Sequence, residues 1–219
     1  TLILLRWIAI AGQVIAIFTA IQLYNLQLEL GLCLLAIGVS VGGNLLAMNS
    51  FPETKRLSEF ENTMMILFDL LQLSFLLFLT GGLHNPFSIL LLAPVAVAAN
   101  VLQLRSLLIL GGTAIALVTI LANYHLPLHT DQGFILRIPD IFVFGNWAAI
   151  VIALVFLSVY SRRVNNEMNV MGEAVVATQM ALAREQKLTD LGGVVAAAAH
   201  ELGTPLATIK LASSELMEE

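Results

Sequence analysis

Charge is what this sequence has least of. Only 11% of its 219 residues are Asp, Glu, Lys or Arg, where a soluble domain carries roughly 25%. That shortage excludes an ordinary water-facing globule and a disordered chain, both of which need charge to stay solvated. The few charges sum to −5. No surface can then neutralise phosphates, so a direct nucleic-acid binder is excluded too. Cysteine occurs once, as Cys33. One thiol excludes an intrachain disulfide and a cysteine-rich metal site. Inside an apolar run it reads as a small packed side chain. Aromatic residues stop at Tyr160.

What fills the chain instead is hydrocarbon. Apolar residues make up 58% and the mean hydropathy is +0.90, the composition of a membrane protein. Residues 1–160 carry 5 Lys/Arg and 7 Asp/Glu, whereas the 59 residues from 161 onward carry 5 and 8. The physics changes near Ser161. Before it, six apolar segments approach the roughly 20 residues that a helix needs to cross a bilayer. They are 7–24, 30–48, 64–80, 88–104, 106–124 and 141–160. The fourth is short and contains Pro94. A proline there is expected to rely on neighbouring helices to satisfy the carbonyl it frees. Tyr24, Tyr124 and Tyr160 fall at span ends, where an amphipathic ring prefers the interface.

Orientation follows from the basic residues. Lys55, Arg56, Arg105, Arg162 and Arg163 fall on one side of a six-span topology and Arg137 alone on the other. The positive-inside rule makes the first side cytoplasmic, together with the C-terminal segment. Loops 25–29, 81–87 and 125–140 then face outward and are too short to fold a separate sensing domain. A signal must come from the membrane or its surface. Within the third span lies Asp69, with Gln72 one turn on; an ionisable residue there is costly, so it is either a functional candidate or a protonated or hydrogen-bonded helix contact with Asn44 or Asn100. His125 and His129 lie four apart, but Pro127 between them breaks the helix that a metal pair would need. No metal site is expected.

After the spans, apolar residues recur at Val164, Met168, Met171, Val175 and Leu182, then at Leu188, Leu191, Val195, Ala198 and Leu202. Spacings of three and four mark a helical seam. The phase slips between Leu182 and Leu188, as in a coiled coil that is locally overwound or unwound. Two readings fit: one amphipathic helix, or a dimeric coiled coil whose phase break carries motion. The chain starts at Thr1 rather than Met and stops within a helical pattern at Glu219, so both ends read as cuts.

Two motifs carry chemistry. The first is Ala196–Ala199 followed by His200-Glu201-Leu202-Gly203-Thr204-Pro205-Leu206. An imidazole can attack a phosphoryl group if a base manages its other proton, and Glu201 adjoins it. Thr204 lies one turn on, on the same face, where its hydroxyl could position water. Pro205 is expected to kink the helix. Gly192, Gly193 and Gly203 each lower helix propensity by about 1 kcal/mol relative to alanine, so this helix is expected to be weakly held. The second motif is Gly81-Gly82-Leu83-His84-Asn85-Pro86-Phe87. It offers a tight turn, an amide with donors and an acceptor, an imidazole and an aromatic face. A quinone head group arriving from the bilayer needs hydrogen-bond donors for its carbonyls and a flat surface. A simple turn explains the glycines and Asn-Pro equally well.

The His-Glu-x-x-Thr-Pro-Leu pattern resembles the phosphoacceptor box of sensor histidine kinases. The loop resembles the Gly-Gly-x-x-Asn-Pro-Phe motif of the RegB/PrrB family of redox-responsive sensor kinases, which also has six spans. The resemblance covers essentially the whole chain. It implies an all-α membrane protein with a six-span sensor domain at 1–160, a coiled-coil linker at 161–190 and the start of a dimerisation and phosphotransfer domain at 191–219. It implies a homodimer in the bacterial cytoplasmic membrane. It also implies ubiquinone as signal at Gly81, Gly82, Asn85, Pro86 and Phe87, with His84 at a variable position of the motif. His200 would be phosphorylated, Glu201 would assist, and Thr204 would serve dephosphorylation of the partner response regulator. No nucleotide-cradling loop is present in the sequence, so ATP and Mg are expected to bind beyond Glu219. Cys33 does not correspond to that family's redox-active cysteine. The rival readings are a transporter or channel using Asp69, and a phosphotransfer protein without an ATP domain.

Overall fold

The computed structural model describes residues 2–50, 58–130 and 133–218. Lys55 and Arg56, two of the orienting charges, lie outside them. Six α-helices follow in order: α1 Leu2–Tyr24, α2 Leu30–Ser50, α3 Glu59–Leu79, α4 Leu92–Val101, α5 Leu104–Asn123 and α6 Asp140–Glu218. Two 3-10 segments, Gly82–His84 and Pro86–Leu91, join α3 to α4. The chain forms two compact units, Thr1–Asn165 and Asn166–Glu219.

Helices α1, α2, α3, α5 and α6 are long and apolar enough to cross a membrane. The sixth crossing is made differently. The apolar segment Pro86–Val101 is shorter, and its first 6 residues are 3-10 helix. A 3-10 helix rises about 2.0 Å per residue against about 1.5 Å for an α-helix. The segment therefore reaches roughly 27 Å, close to the ~30 Å of a hydrocarbon core. Pro94 is the third residue of α4. It sits within the first turn, where a missing N–H is tolerated, so the helix's own start accommodates it in place of the neighbouring helices expected from the sequence.

Helix α3 starts five residues before the apolar run because a capping box fixes it. The Ser58 hydroxyl accepts from the Glu61 amide at 3.2 Å, and the Ser58 amide donates back to the Glu61 carboxylate at 2.7 Å. Glu59 and Glu61 in its first turn complement the helix dipole. Within the first unit α3 is shared by two cores. One joins Ile66, Leu70 and Leu77 to Val95, Leu110, Val118, Ile150 and Leu154 on α4, α5 and α6. The other joins Leu76 and Leu79 to Ile10, Cys33 and Ile37 on α1 and α2. Cys33 is fully buried. So are Ala98 and Ala114, small residues of the kind that let membrane helices approach closely.

Two expectations change. Among the described residues Asp69 shows no hydrogen bond to Asn44 or Asn100. It pairs with Arg6 of α1, whose Nε lies 2.8 Å from its carboxylate. Arg6 also donates to the Met65 carbonyl at 2.6 Å and lies over the Phe68 ring. The sequence reading began the first span at Trp7, leaving Arg6 outside; α1 begins at Leu2, which puts the guanidinium among the helices. Next to this pair, Gln13 and Gln72 exchange amide hydrogen bonds at 3.1–3.3 Å.

The outer loops are not mere connections either. Leu26–Gln27 (β1), Leu128–Thr130 (β2) and Ile135–Leu136 (β3) form a small antiparallel sheet in the order β1-β2-β3. Leu26 pairs with Thr130, and Leu128 with Leu136. Backbone pairing satisfies polar groups that would otherwise face the membrane surface unpartnered. The Leu126 amide also donates to the Phe78 carbonyl at 2.9 Å. All three outer loops thus lie at one end of the first unit.

Candidate functional site

The Gly81–Phe87 turn is built by two glycines in the left-handed region. Gly81 has φ +97° and Gly82 φ +56°, a region that costs other residues roughly 1–2 kcal/mol. Space is closed as well. A Cβ on Gly81 would lie 2.7 Å from a Leu128 methyl. A Cβ on Gly82 would strike the Leu121 carbonyl and come within 2.8 Å of His125. The turn is therefore pressed against the end of α5 and strand β2. Leu83 anchors it in the core, fully buried, and its carbonyl accepts from Asn146 of α6 at 3.5 Å.

Asn85 holds this turn through its side chain. Its amide donates to the Thr80 carbonyl at 3.1 Å and the Thr80 hydroxyl at 2.9 Å. Its Oδ1 accepts from the Phe87 amide at 2.9 Å, capping the following 3-10 helix. Pro86 opens that helix, where its missing N–H leaves no gap. The amide that sequence reasoning offered to a ligand is already engaged by its own loop. Phe87 remains exposed, and its ring is the accessible aromatic surface of the motif.

His84 is the chemically unsatisfied member. Both of its ring nitrogens are shielded from solvent and have no hydrogen-bond partner. Its ring lies 4.6 Å from that of His125, tilted by 52°. His125 Nδ1 lies 3.2 Å from the Leu126 carbonyl. A carbonyl only accepts, so this contact assigns the His125 proton to Nδ1. Burial pushes the His84 pKa below its ordinary value, and His125 and Arg137 add to that shift. The Gly81 backbone and Asp140 oppose that shift without reversing it. Arg6, Thr80 and His125 were not singled out from the sequence as parts of these contacts. Thr80 carries no local pattern that marks it, and the His125–His129 spacing pointed elsewhere; both meet the turn only through the fold.

In the second unit, His200, Glu201 and Thr204 are all exposed on α6. The Thr204 hydroxyl lies one turn beyond His200 and donates to its carbonyl at 3.4 Å, which puts both residues on one face. Glu201 is adjacent in sequence, and neighbours at that spacing do not face each other on a helix. Among the described residues it makes no hydrogen bond or ion pair with His200. Helix α6 continues through Pro205. Among the described residues no group of three or more His, Cys, Asp or Glu could hold a metal ion.

Comparison with known proteins adds the family. Residues 8–137 match the PilS-like transmembrane domain. The chain is 59% identical over all of its 219 residues to a sensor histidine kinase RegB of Cereibacter sphaeroides, covering 47% of that protein. It is 60% identical over the same span to a RegB from one strain of that species, again covering 47%. The chain therefore spans about half the length of these relatives. No solved structure matches it. The chain belongs to the PilS-like transmembrane domain family and is a RegB-type membrane sensor region, part of a multi-pass protein of the bacterial inner membrane.

Proposed function

We propose that this chain is the sensing and phosphoacceptor portion of a membrane-bound histidine kinase that answers to the redox state of membrane ubiquinone. The observation that carries the kinase reading is the identity to two RegB sensor histidine kinases that extends through His200. Exposure of His200 on a helix supports it, because a phosphoryl donor must reach the ring. In autophosphorylation the γ-phosphoryl of ATP would move to a ring nitrogen of His200. The N–P bond forms as the bond to ADP breaks, and a base takes the imidazole proton. Glu201 would act in that role once a donor domain has closed over the helix. Thr204 would direct water toward the phosphorylated aspartate of a response regulator. ATP and Mg would bind to a part of the protein outside residues 1–219. The helix beyond Asn165 would pair with that of a second copy, with the C-terminal unit in the cytoplasm.

A quinone head group docked at the turn would meet its residues in roles other than those the sequence suggests. Bound there, it would supply two carbonyl acceptors and a redox-dependent change in them. Phe87 would give the flat face. His84 would donate its N–H to a carbonyl once movement of the turn uncovers its shielded ring nitrogens. Gly81, Gly82, Asn85 and Pro86 would shape the turn rather than touch the ligand.

The test uses the full-length protein in lipid discs, with radiolabel transfer from ATP to His200 measured with and without oxidised ubiquinone. His200→Ala is the blank. A quinone-dependent change in label that disappears in Phe87→Ala supports the reading. Label that ignores quinone leaves the kinase and removes the quinone site. No label at His200 removes the kinase.

A further inference from the structure

The turn and the start of the signalling helix are joined by a second route besides the backbone. The segment Pro86–Val101 leaves the Gly81–Phe87 turn directly, capped at its start by Asn85. At its far end, the carbonyls that close α4 are taken by side chains of α6. Arg162 Nη1 donates to the Leu102 carbonyl at 3.0 Å. Asn165 Nδ2 donates to the Ala99 carbonyl at 3.2 Å and to Asn100 Oδ1 at 3.3 Å. Asn100 in turn donates to the Ala96 carbonyl at 2.8 Å. The last carbonyls of a helix have no partners within it, and a cation there also meets the negative end of its dipole. The elbow is strapped from the other side by Glu59, whose carboxylate accepts from the Gln103 amide at 2.8 Å.

Lengths make this arrangement mechanical. The rod Pro86–Val101 is roughly 27 Å long. The stretch of α6 from Asn146, which touches the turn, to Asn165, which touches the far end of the rod, is roughly 28 Å. Two struts of matched length are joined at both ends. The upper rung is a single contact of 3.5 Å from Asn146 to the Leu83 carbonyl. The lower rung is three hydrogen bonds, one of them charge-assisted.

We propose that Arg162 and Asn165 are the positioning residues that couple the turn to the phosphoacceptor helix: movement of the turn shifts the rod, and the clamp hands that shift to α6. The reading of α6 as a kinase helix comes from the function proposed above. The coupling itself does not depend on which ligand moves the turn.

The test is a double-mutant cycle in full-length protein in lipid discs, without quinone. The perturbation is Gly82→Ala, which must displace the Leu121 carbonyl or the His125 ring; Asn85→Ala serves where Gly82→Ala fails to insert. Two readouts are taken: label at His200, and amide exchange across residues 160–170, which needs no kinase activity. Each perturbation should change the label rate by about fivefold or more and alter exchange. In Arg162→Ala/Asn165→Ala both responses should vanish while label formation itself continues. Arg162→Lys/Asn165, which keeps a donor, should restore them. Asn146→Ala is the comparator. If the response survives in the clamp variant, or is lost only in Asn146→Ala, the coupling runs through the upper contact and the proposal fails. If neither perturbation alters exchange in the otherwise native protein, it fails as well. Exchange that responds in a protein giving no label would keep the clamp and overturn only the kinase reading.

Discussion

Removing the charge of Asp69 should cost more than removing its partner. Arg6 is 8% exposed and Asp69 27%, with Nε and carboxylate 2.8 Å apart. In Asp69→Asn the guanidinium stays buried without a counter-charge, beside a neutral amide, the Met65 carbonyl and the Phe68 ring. Arginine cannot shed its proton. An uncompensated buried charge typically costs about 3–5 kcal/mol. The expected loss is therefore about 3 kcal/mol, a factor of more than one hundred in the folding equilibrium. In Arg6→Met the carboxylate left behind can take up a proton and hydrogen-bond as a neutral acid. That loss should be clearly smaller. Replacing both, as Arg6→Met/Asp69→Leu, should bring stability back near the starting value, because well-packed apolar groups match a buried ion pair. The assay is the unfolding free energy of each variant of the full chain in bicelles, read by steric trapping. Equal losses for the two single variants, adding without interaction in the double variant, would refute the reasoning.

Other outcomes follow from the turn and the cores. Gly82→Ala, forced to φ +56°, should lose about 1–2 kcal/mol before its steric clash is counted; a thermal shift measured beside Gly133→Ala, a glycine with open space around it, isolates the clash. The His84 pKa is lowered in the folded protein, so the unfolded chain binds the proton more readily. Stability should be fully present above the unfolded value of about 6.5 and fall as pH drops from there through the folded pKa. His84→Phe should flatten that dependence in a melting series from pH 8 to pH 5. Cys33, fully buried, should resist a maleimide in the folded protein and react once the chain is unfolded, as counted by mass.

Much of this protein was legible before any coordinates. Scarcity of charge and runs of apolar residues determined that it crosses a membrane repeatedly, because backbone polar groups in hydrocarbon leave helices as the economical solution. The His200–Leu206 motif and its place after the last span were equally local. The starts of elements were less so. The Ser58–Glu61 box is itself a local pattern, and it starts α3 at Glu59, ahead of the apolar run.

What the sequence by itself determined was thus composition, period and motif, each of which depends only on neighbours along the chain. Tertiary structure decided the pairings. Arg6 meets Asp69 across 63 residues, and Arg162 meets the Leu102 carbonyl across 60. His84 meets His125 because the turn is pressed against α5. The engagement of Asn85 by Thr80 depends on a backbone turn whose shape is set by those distant contacts. A side chain's type says which bonds it can make; only the fold says which partner arrives within 3 Å.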